Sequence, residues 1–521
     1  TTAAVSMSSM FQSATSFNQN LSTWNTAAVT TMFTMFNSAS NFNNGSLSGV
    51  SNQLQWNTSS CTSMQGMFQS ATAFNSNLGT GTTPWDVSKV TLFASMFNGA
   101  SKFKNGDETI QSKMNDWSIN TGSNVSMSSM FNNAAAFNRP IGNWNMTKVN
   151  NIFAMFNGAS VFNQPLSNWE RVGSTLGNVN NMLWAFRQAS LFNQDISTWN
   201  VNKVIDFGSM FSLALAFNNG SNLNINPVTS RTGLNGWNIN TLADVKMDGM
   251  FSATRDFNRS INDWNMSKVY NINQMFNSTV SFNQPINSWN TVSVTSMVGM
   301  FESSSAFNQP IDNWNVSNVT DMSYMFNITT SFNQPLANWE RAGSSLLKVT
   351  NMRNMFNQAP SFQQYIGNWN VFGVVNFLLF MGQKNVTSFP STYLDAIYNG
   401  WIVNGVKPNI SISFGTAKYS QAGKTGKDTL TSPVISGGYN WTITDGLLTV
   451  SGTSNNGGLI RVTTTAAHGF ITGNSVYIYG VNGTTNANGT WTVTVISSVV
   501  IQLNSSVYNA AWTSGGNVIL G

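Results

Sequence analysis

The sequence predicts a repeat solenoid of about thirteen coils followed by a small all-β domain. Three observations support this fold class. A Phe/Trp/Met-rich motif recurs with a period of 25 residues through the first three-quarters of the chain. Copies longer than this carry their extra residues at only two positions. Beyond residue 446 the repeat stops, and short runs of alternating β-branched residues take its place.

Each copy of the repeat contains a Met-Phe pair, a Phe-Asn anchor and a tryptophan. In the cleanest copies the anchor reads Phe-Asn-Gln-Pro-Ile or Phe-Asn-Gln-Pro-Leu. One coil exposes apolar faces above and below, so only stacking on its neighbours buries the rings. We therefore expect columns of aromatic side chains, with a structural ladder made by Phe282, Trp289, Phe307, Trp314, Phe332 and Trp339. The Asn residues after each Phe and each Trp should bond backbone groups of the adjacent coil.

The extra residues of the longer copies predict loops on the faces of the solenoid. One kind of insertion lies between the Phe-Asn and the Trp, as in residues 218–236. The other follows the Trp, as in residues 170–177 and the nearly identical residues 340–347. Both copies of the second kind open with Glu-Arg, and adjacent opposite charges at the start of a loop favour a local ion pair.

The spacing within one copy predicts a short helix and a short strand per coil. The residues at helical spacing are Val319, Met322, Met325, Phe326 and Thr329, which indicate one or two helical turns. The stretch from Phe307 to Trp314 should be extended, with Pro310 at the start of the strand because proline cannot donate to a ladder.

These patterns divide the chain into four parts. Residues 1–371 form the solenoid, residues 372–446 its C-terminal cap, residues 447–458 a Gly/Ser/Asn linker, and residues 459–521 the small all-β domain. The apolar stretch of residues 371–381 is interrupted by Asn376 and is far shorter than the roughly 20 residues that span a bilayer. It is predicted to be the core of the last repeat, and no membrane insertion is expected.

Composition argues against several classes of function. Only 8% of the residues are charged while 41% are hydrophobic, which is unusual for a cytosolic enzyme. The formal charge of +5 comes from Lys and Arg scattered singly, so no nucleic-acid partner is expected. The single cysteine, Cys61, cannot form an internal disulfide or a thiolate metal cage, and we interpret it as a small buried hydrophobic residue.

The sequence offers no constellation for catalysis. His468 is the only histidine, so one chain cannot assemble a histidine metal site or a Ser-His-Asp triad. Acidic residues such as Asp116, Asp263 and Glu302 show no recurrent pair of the kind that glycosidases use. We therefore expect no catalytic residues, no cofactor and no bound metal, and predict that the protein is not an enzyme.

The unit at residues 307–326, Phe-Asn-Gln-Pro-Ile-x-x-Trp-Asn-Val-Ser-x-Val-Thr-x-Met-x-x-Met-Phe, resembles the BspA-like repeats of bacterial and mycoplasma surface proteins. The resemblance extends over about residues 1–446. It implies a leucine-rich-repeat-like solenoid on a surface, often adhesive, and no reaction. Residues 467–470 (Ala-His-Gly-Phe) and 488–491 (Asn-Gly-Thr-Trp) resemble a small β-domain of phage and algal-virus structural proteins, which implies a virion appendage instead.

The preferred hypothesis is a non-enzymatic structural or adhesive protein of an extracellular, cell or virion surface, such as a fibre, filament or appendage subunit. Residues 1–10 match residues 26–35, so the chain begins within a repeat. An open first coil would be covered by preceding chain or by a neighbouring subunit. The candidate assembly edge consists of Val5, Met7, Met10 and Phe11. The expected partners are further copies of the chain or neighbouring structural subunits.

The alternative is a module of a bacterial cell-surface adhesin that binds a host glycan or protein. Residues 45–55 and 218–236 would then be recognition loops. The periodic tryptophans are expected in the core, whereas Trp184 lies outside their pattern and is the candidate ligand contact. A third hypothesis takes the Thr and Asn columns as an ice-binding face.

Overall fold

The computed structural model describes residues 4–46, 53–79, 84–106, 113–220, 233–385 and 387–521. The chain divides into two compact units, residues 1–309 and residues 310–521, each with its own internal contacts. The first unit consists of repeats. The second holds further repeats, then two helices and a barrel.

Short parallel strands join consecutive repeats in the first unit. The pairs are β1 (Val5–Ser6) with β2 (Val29–Thr31), β3 (Gln53–Leu54) with β4 (Asn77–Leu78), β5 (Val125–Ser126) with β6 (Val149–Asn151), and β7 (Val245–Lys246) with β8 (Val269–Asn271). Isolated parallel bridges link β2 to β5 through Ser63 and Leu92, and β6 to β7 through Asn181 and Asp206. Apart from β3 and β4, these strands thus belong to one parallel ladder that passes from repeat to repeat.

The segment predicted to be helical forms consecutive tight turns instead, so the prediction of a short helix in each coil is wrong for the described repeats. Within the segment, the amide of Met325 donates to Met322 O at 3.3 Å, three residues back. The alternate amides donate to the next repeat: Met322 to Asn351 O at 3.0 Å, Tyr324 to Arg353 O at 2.8 Å, and Phe326 to Met355 O at 2.9 Å. Those amides cannot also make the bonds of an α-helix. Tyr324 and Ile328 have left-handed φ angles of 60°, which also exclude a helix.

Consecutive turns explain why the apolar residues have the spacing of a helix. Each three-residue turn returns a side chain to the core, so apolar residues recur at intervals of three and four. The strand predicted from Phe307 to Trp314 is also wrong: residues 307–311 are irregular, and a turn at residues 312–313 follows them. Apart from β3 and β4, the strands lie before the Met-Phe pair rather than at the Phe-Asn anchor, where asparagine side chains make the bonds between repeats.

Aromatic columns fill the core of the first unit. Two phenylalanines of one repeat stack closely, as Phe36 and Phe42 do with ring centres 3.8 Å apart. Phe42 also stacks on Phe74 of the next repeat at 5.9 Å. A separate column runs through the tryptophans, and Trp56 and Trp85 lie 6.1 Å apart with nearly parallel rings. These side chains are at most 4% exposed, so the repeats share one continuous apolar core.

In the second unit, two helices and a small parallel sheet occupy the predicted cap, residues 372–446. The elements are α1 (Ser391–Trp401), β9 (Ser411–Ser413), α2 (Lys424–Thr431) and β10 (Thr442–Thr444), with β9 and β10 parallel. The face of α1 that carries Leu394, Ile397 and Trp401 is buried. The apolar stretch of residues 371–381 buries Val374, Phe377 and other side chains in the same unit. No helix in the described part of the chain is long and apolar enough to cross a bilayer.

A closed six-stranded antiparallel barrel ends the second unit and confirms the prediction of a small all-β domain. Its strands are β11 (Leu448–Asn456), β12 (Leu459–Thr464), β13 (Ser475–Tyr479), β14 (Gly489–Ser497), β15 (Val500–Leu503) and β16 (Asn517–Leu520), in the order β11-β12-β15-β14-β13-β16. Alternate apolar residues such as Ile460 and Val476 fill the interior. The predicted linker, residues 447–458, is therefore wrong, because it forms β11 and the tight turn into β12. Its Gly/Ser/Asn composition resembles a linker, but both edges of β11 are paired.

Candidate functional surfaces

The predicted structural ladder lies in the buried aromatic columns. Phe282, Trp289, Phe307, Trp314, Phe332 and Trp339 are each at most 2% exposed. In the first unit Phe282 stacks between Phe257 at 5.8 Å and Phe307 at 6.1 Å. The indole N–H of Trp289 donates to Ile261 O of the preceding repeat at 2.9 Å. The tryptophans therefore contribute both apolar area and a directed hydrogen bond to stacking.

Asparagine side chains hold the Phe-Asn anchors together. The Oδ1 atom of Asn163 accepts the backbone N–H of Asn193 at 2.9 Å, and the N–H of Asn163 donates to Asn138 Oδ1 at 2.9 Å. The same bond recurs in other repeats of the first unit, and we call this set the asparagine ladder: Asn138, Asn163, Asn193, Asn218, Asn258 and Asn283. A side-chain oxygen thus replaces the backbone carbonyl of a β-ladder.

The asparagine that follows each tryptophan starts a turn in its own repeat, and Asn145 also bonds the next repeat, because its Nδ2 donates to Gly173 O at 2.8 Å. Asn145 Oδ1 accepts the amide of Thr147 at 3.0 Å, and Asn265 Oδ1 accepts the amide of Ser267 at 3.0 Å. Both are Asx turns that start the return to the next strand. The expectation that asparagines bond backbone groups of the adjacent coil therefore holds for the asparagine ladder and also for Asn145, which follows a tryptophan.

The Glu-Arg pair of residues 170 and 171 does not form the expected local ion pair. The guanidinium of Arg171 donates to the carbonyl oxygens of the preceding repeat, Asn143 at 2.6 Å and Trp144 at 3.2 Å among them. The carboxylate of Glu170 instead accepts the amide of Asn200, in the following repeat, at 3.2 Å. In the second unit Arg341 and Glu340 make the corresponding bonds. Each insertion therefore ties three repeats together through its two charged residues.

Trp184 lies on the surface, and the structure corrects the view that it is outside the repeat pattern. It occupies the second position between Met182 and Ala185, where every described repeat has a residue with a left-handed φ; that of Trp184 is 60°. The side chain is 39% exposed. The ring centres of Phe153 and Trp184 are 5.6 Å apart, and the guanidinium carbon of Arg187 lies 5.7 Å from the indole centre. Sequence reasoning missed this register because the position otherwise carries mostly small residues.

The other predicted contact regions are only partly within the described chain. Of the candidate recognition loops, residues 47–52 and 221–232 lie outside the described residues. At the candidate assembly edge, Val5 and Met10 are 41% and 48% exposed, whereas Met7 is buried and Phe11 is half-buried. Any first repeat of a described stack is uncovered in this way, so the exposure alone does not identify a partner.

Cys61 and His468 have structural roles among the described residues. The Sγ–H of Cys61 donates to Ser63 O at 3.3 Å, and burial raises the pKa of this thiol to about 11. His468 is 2% exposed, and its Nδ1 accepts the amide of Phe470 at 2.9 Å. That bond fixes the tautomer, so Nε2 carries the proton and donates to Ser497 O at 2.8 Å. Neither residue faces a reaction site.

The second unit contains a buried lysine that the sequence did not reveal. Lys384 is 2% exposed, and its ammonium group donates to the carbonyl oxygens of Ala359, Pro360 and Phe362, the last at 2.7 Å. Burial lowers the pKa of Lys384 to about 7. The side chain satisfies carbonyls at the end of the repeats, where α1 replaces the next coil.

A buried polar cluster joins the cap to the barrel. The hydroxyl of Tyr398 donates to Asp445 at 2.7 Å, and the ammonium of Lys427 donates to the same carboxylate at 2.8 Å. Burial and the Asp445 charge raise the pKa of Tyr398 well above its usual value. The ring of Tyr419 lies 4.4 Å from Lys427, and its hydroxyl bonds Tyr479 of β13 at 2.9 Å. The cluster is therefore a structural joint within the second unit.

Comparison with known proteins identifies the repeat family. The family model described as "Mycoplasma protein of unknown function, DUF285" matches in six tandem segments: residues 1–53, 48–113, 83–176, 174–235, 245–346 and 343–407. No curated protein matches the chain, and no solved structure matches it either. The matches extend over most of the chain and stop before the barrel. Six tandem matches, together with the repeated strand-and-turn ladder, show that the chain belongs to the DUF285 family of BspA-like mycoplasma repeats.

Proposed function

We propose that the protein is a non-enzymatic structural or adhesive component of an extracellular, cell or virion surface, built as a leucine-rich-repeat-like solenoid. The observation that carries this proposal is the density of bonds between repeats. Backbone amides, asparagine side chains, indole N–H groups and the Glu-Arg insertions all join one repeat to the next. Such an array is stiff and presents a regular surface, which suits assembly or attachment.

The parallel ladder of the first unit supports the solenoid. Strands of neighbouring repeats in such a ladder are about 4.8 Å apart, so each 25-residue copy would advance the stack by one strand spacing. The turns take the place of the helix found in many leucine-rich repeats. They let each coil close within 25 residues while half of the turn amides remain free to bond the next coil.

The proposed location rests on family and composition together. BspA-like repeats suggest a bacterial or mycoplasma surface, while the sequence resemblance of residues 467–470 and 488–491 to a small β-domain of viral structural proteins suggests a virion appendage. In both settings a surface rich in Asn, Ser and Thr with few charges would serve as a stable exterior. Self-association and contact with neighbouring subunits remain predictions, as does the absence of a nucleic-acid partner.

Immunogold electron microscopy of intact source particles or cells tests the location. Antibodies raised against the whole chain should label the outer surface without permeabilisation, and pre-absorption of the antibody with the protein should remove the label. Gold that appears only inside permeabilised material would contradict the proposal.

The second candidate function is glycan binding, and the exposed Trp184 favours it. Trp184 places a large, partly exposed ring at a position where most repeats have a small residue. Trp184 with Arg187 would offer one aromatic surface and one cation to a sugar. Retention on a glycan array that is lost in Trp184→Ala but kept in Leu191→Ala, a control at another exposed apolar side chain, would support this function. Absence of retention on every glycan would refute it.

A further inference from the structure

An open groove of about 540 Å³ lies on the first unit, and neither Trp184 nor any ring of the aromatic columns is among its lining residues. Two parallel rows of side chains form its floor, one from each side of the valine that begins the ladder in three consecutive repeats. The rows are Lys148, Asn178 and Lys203, and Asn150, Asn180 and Ile205. The backbone sets their spacing, because the amide of Asn180 donates to Asn150 O at 3.0 Å and that of Ile205 to Asn180 O at 2.9 Å.

Longer turns stand at both ends of the groove. The repeats that begin with β5 and β7 each place extra residues between the tryptophan and the valine, and they contribute Asn124 and Asn240 to the lining. Both turns close in the same way: Asn120 Oδ1 accepts the amide of Gly122 at 2.8 Å, and Asn240 Oδ1 accepts that of Leu242 at 2.8 Å. The lining of the groove therefore extends from Asn124 in one of these repeats to Asn240 in the other.

The polar groups on the floor are largely unused by the protein. The side-chain amides of Asn150 and Asn180 and the ammonium of Lys148 make no hydrogen bond to any described residue. Lys203 is oriented by Asn178 Oδ1 at 2.8 Å, and Asn178 is itself held by Thr147 O at 2.7 Å. The described lining contains two cations and no carboxylate. Such a surface offers amide donors and acceptors between two positive charges.

We propose that this groove binds an acidic oligosaccharide, with the chain of sugars lying along the ladder. Lys148 and Lys203 are two ladder steps apart, roughly 10 Å at the usual strand spacing, which is comparable to the length of a disaccharide. The lysines would bind carboxylate or sulfate groups, and the Asn150 and Asn180 amides would bind hydroxyls between them. A polynucleotide is less suitable, because the lining has no aromatic ring on which bases could stack.

Isothermal titration calorimetry of the full chain tests this proposal with four probes: a heparin-derived sulfated hexasaccharide, a galacturonate hexasaccharide, neutral cellohexaose and a single-stranded oligonucleotide. We expect one site per chain for at least one acidic probe and none for cellohexaose. Binding of one acidic probe alone would identify sulfate or carboxylate as the recognised group. The double variant Lys148→Gln/Lys203→Gln should bind at least tenfold more weakly, which corresponds to ~1.4 kcal/mol.

Lys268→Gln is the matched control. Lys268 holds the position of Lys148 in another repeat, since its carbonyl accepts the amide of Val245 as that of Lys148 accepts the amide of Val125, but it does not line the groove. Asn180→Leu keeps both charges and should also weaken binding. The proposal would be overturned if Lys268→Gln lost as much affinity as the double variant or if Asn180→Leu kept full affinity. It would also be overturned if cellohexaose or a single-stranded oligonucleotide bound as tightly as the acidic probes, or if no probe bound. These results are independent of the immunogold location.

Discussion

Replacing Asn163 with leucine should break one rung of the asparagine ladder and leave the aromatic core in place. Asn163 Oδ1 is the acceptor for the Asn193 amide at 2.9 Å, whereas its own Nδ2 serves no bond within the described residues. Gln194 Nε2, which also bonds this oxygen, keeps the Asn163 carbonyl at 3.0 Å. The main loss is therefore one backbone hydrogen bond. Since Asn193 is half-buried and water can replace part of that bond, we expect a cost of about 1–2 kcal/mol.

Hydrogen exchange with mass spectrometry can measure this cost where it arises, which global unfolding of a repeat array cannot do. The Asn193 amide in Asn163→Leu should exchange about 5–30 times faster than in the parent protein. Asn163→Asp is the matched control, because it keeps an oxygen at the same place and should retain most of the protection. Unchanged exchange in the leucine variant, or equal acceleration in the aspartate variant, would refute the account of the ladder.

Three further predictions concern single charged or reactive side chains. Arg171→Lys should destabilise its repeats by about 1–2 kcal/mol, because an ammonium cannot reach the carbonyls that the guanidinium fork spans; an unchanged thermal unfolding profile would argue against this role. The pKa of Lys384 is lowered to about 7 from 10.5, so the unfolded chain binds more protons between these values. The free energy of unfolding of the second unit should therefore rise as pH increases from about 7 to 10.5. Denaturant titrations of Lys384→Met should show no such rise. The same rise in this variant would contradict the role of Lys384. Cys61, with a pKa near 11, should resist iodoacetamide at pH 8 in the folded protein and react on unfolding, and rapid alkylation of the native protein would show that the thiol is accessible.

The repeat period and the aromatic columns could be predicted from the sequence, because stacking requires the same side chain at the same place in every copy. Phe282 and Trp289 show this directly, since each is buried against its counterpart in a neighbouring repeat. Length differences confined to fixed loops pointed to the same architecture.

The local backbone could not be predicted in the same way. Successive three-residue turns and an α-helix give the same apolar spacing around Met322 and Phe326, and only the destination of the alternate amides distinguishes them. Glycine at the same position of every repeat would have indicated a left-handed φ angle there. Here such angles fall on residues as large as Trp184 and Tyr324, so composition concealed them.

The surface features depend on contacts between distant residues. Glu170 and Arg171 are adjacent in sequence, yet they bond different repeats, and only the stacked structure shows it. The groove is similar: Lys148 and Lys203 are 55 residues apart in the printed sequence and come together because each occupies the same position in its repeat.

Removal of one complete repeat tests the central claim most directly. Deleting residues 257–281 joins residue 256 to Phe282, so that Phe282 would take the place of Phe257 against Phe217. Deleting residues 257–269 removes about half a repeat and destroys the register. We expect the full-repeat deletion to retain cooperative thermal unfolding and protected amides in the flanking repeats, and the half-repeat deletion to lose both. Equal disruption by the two deletions would contradict a stack of interchangeable repeats.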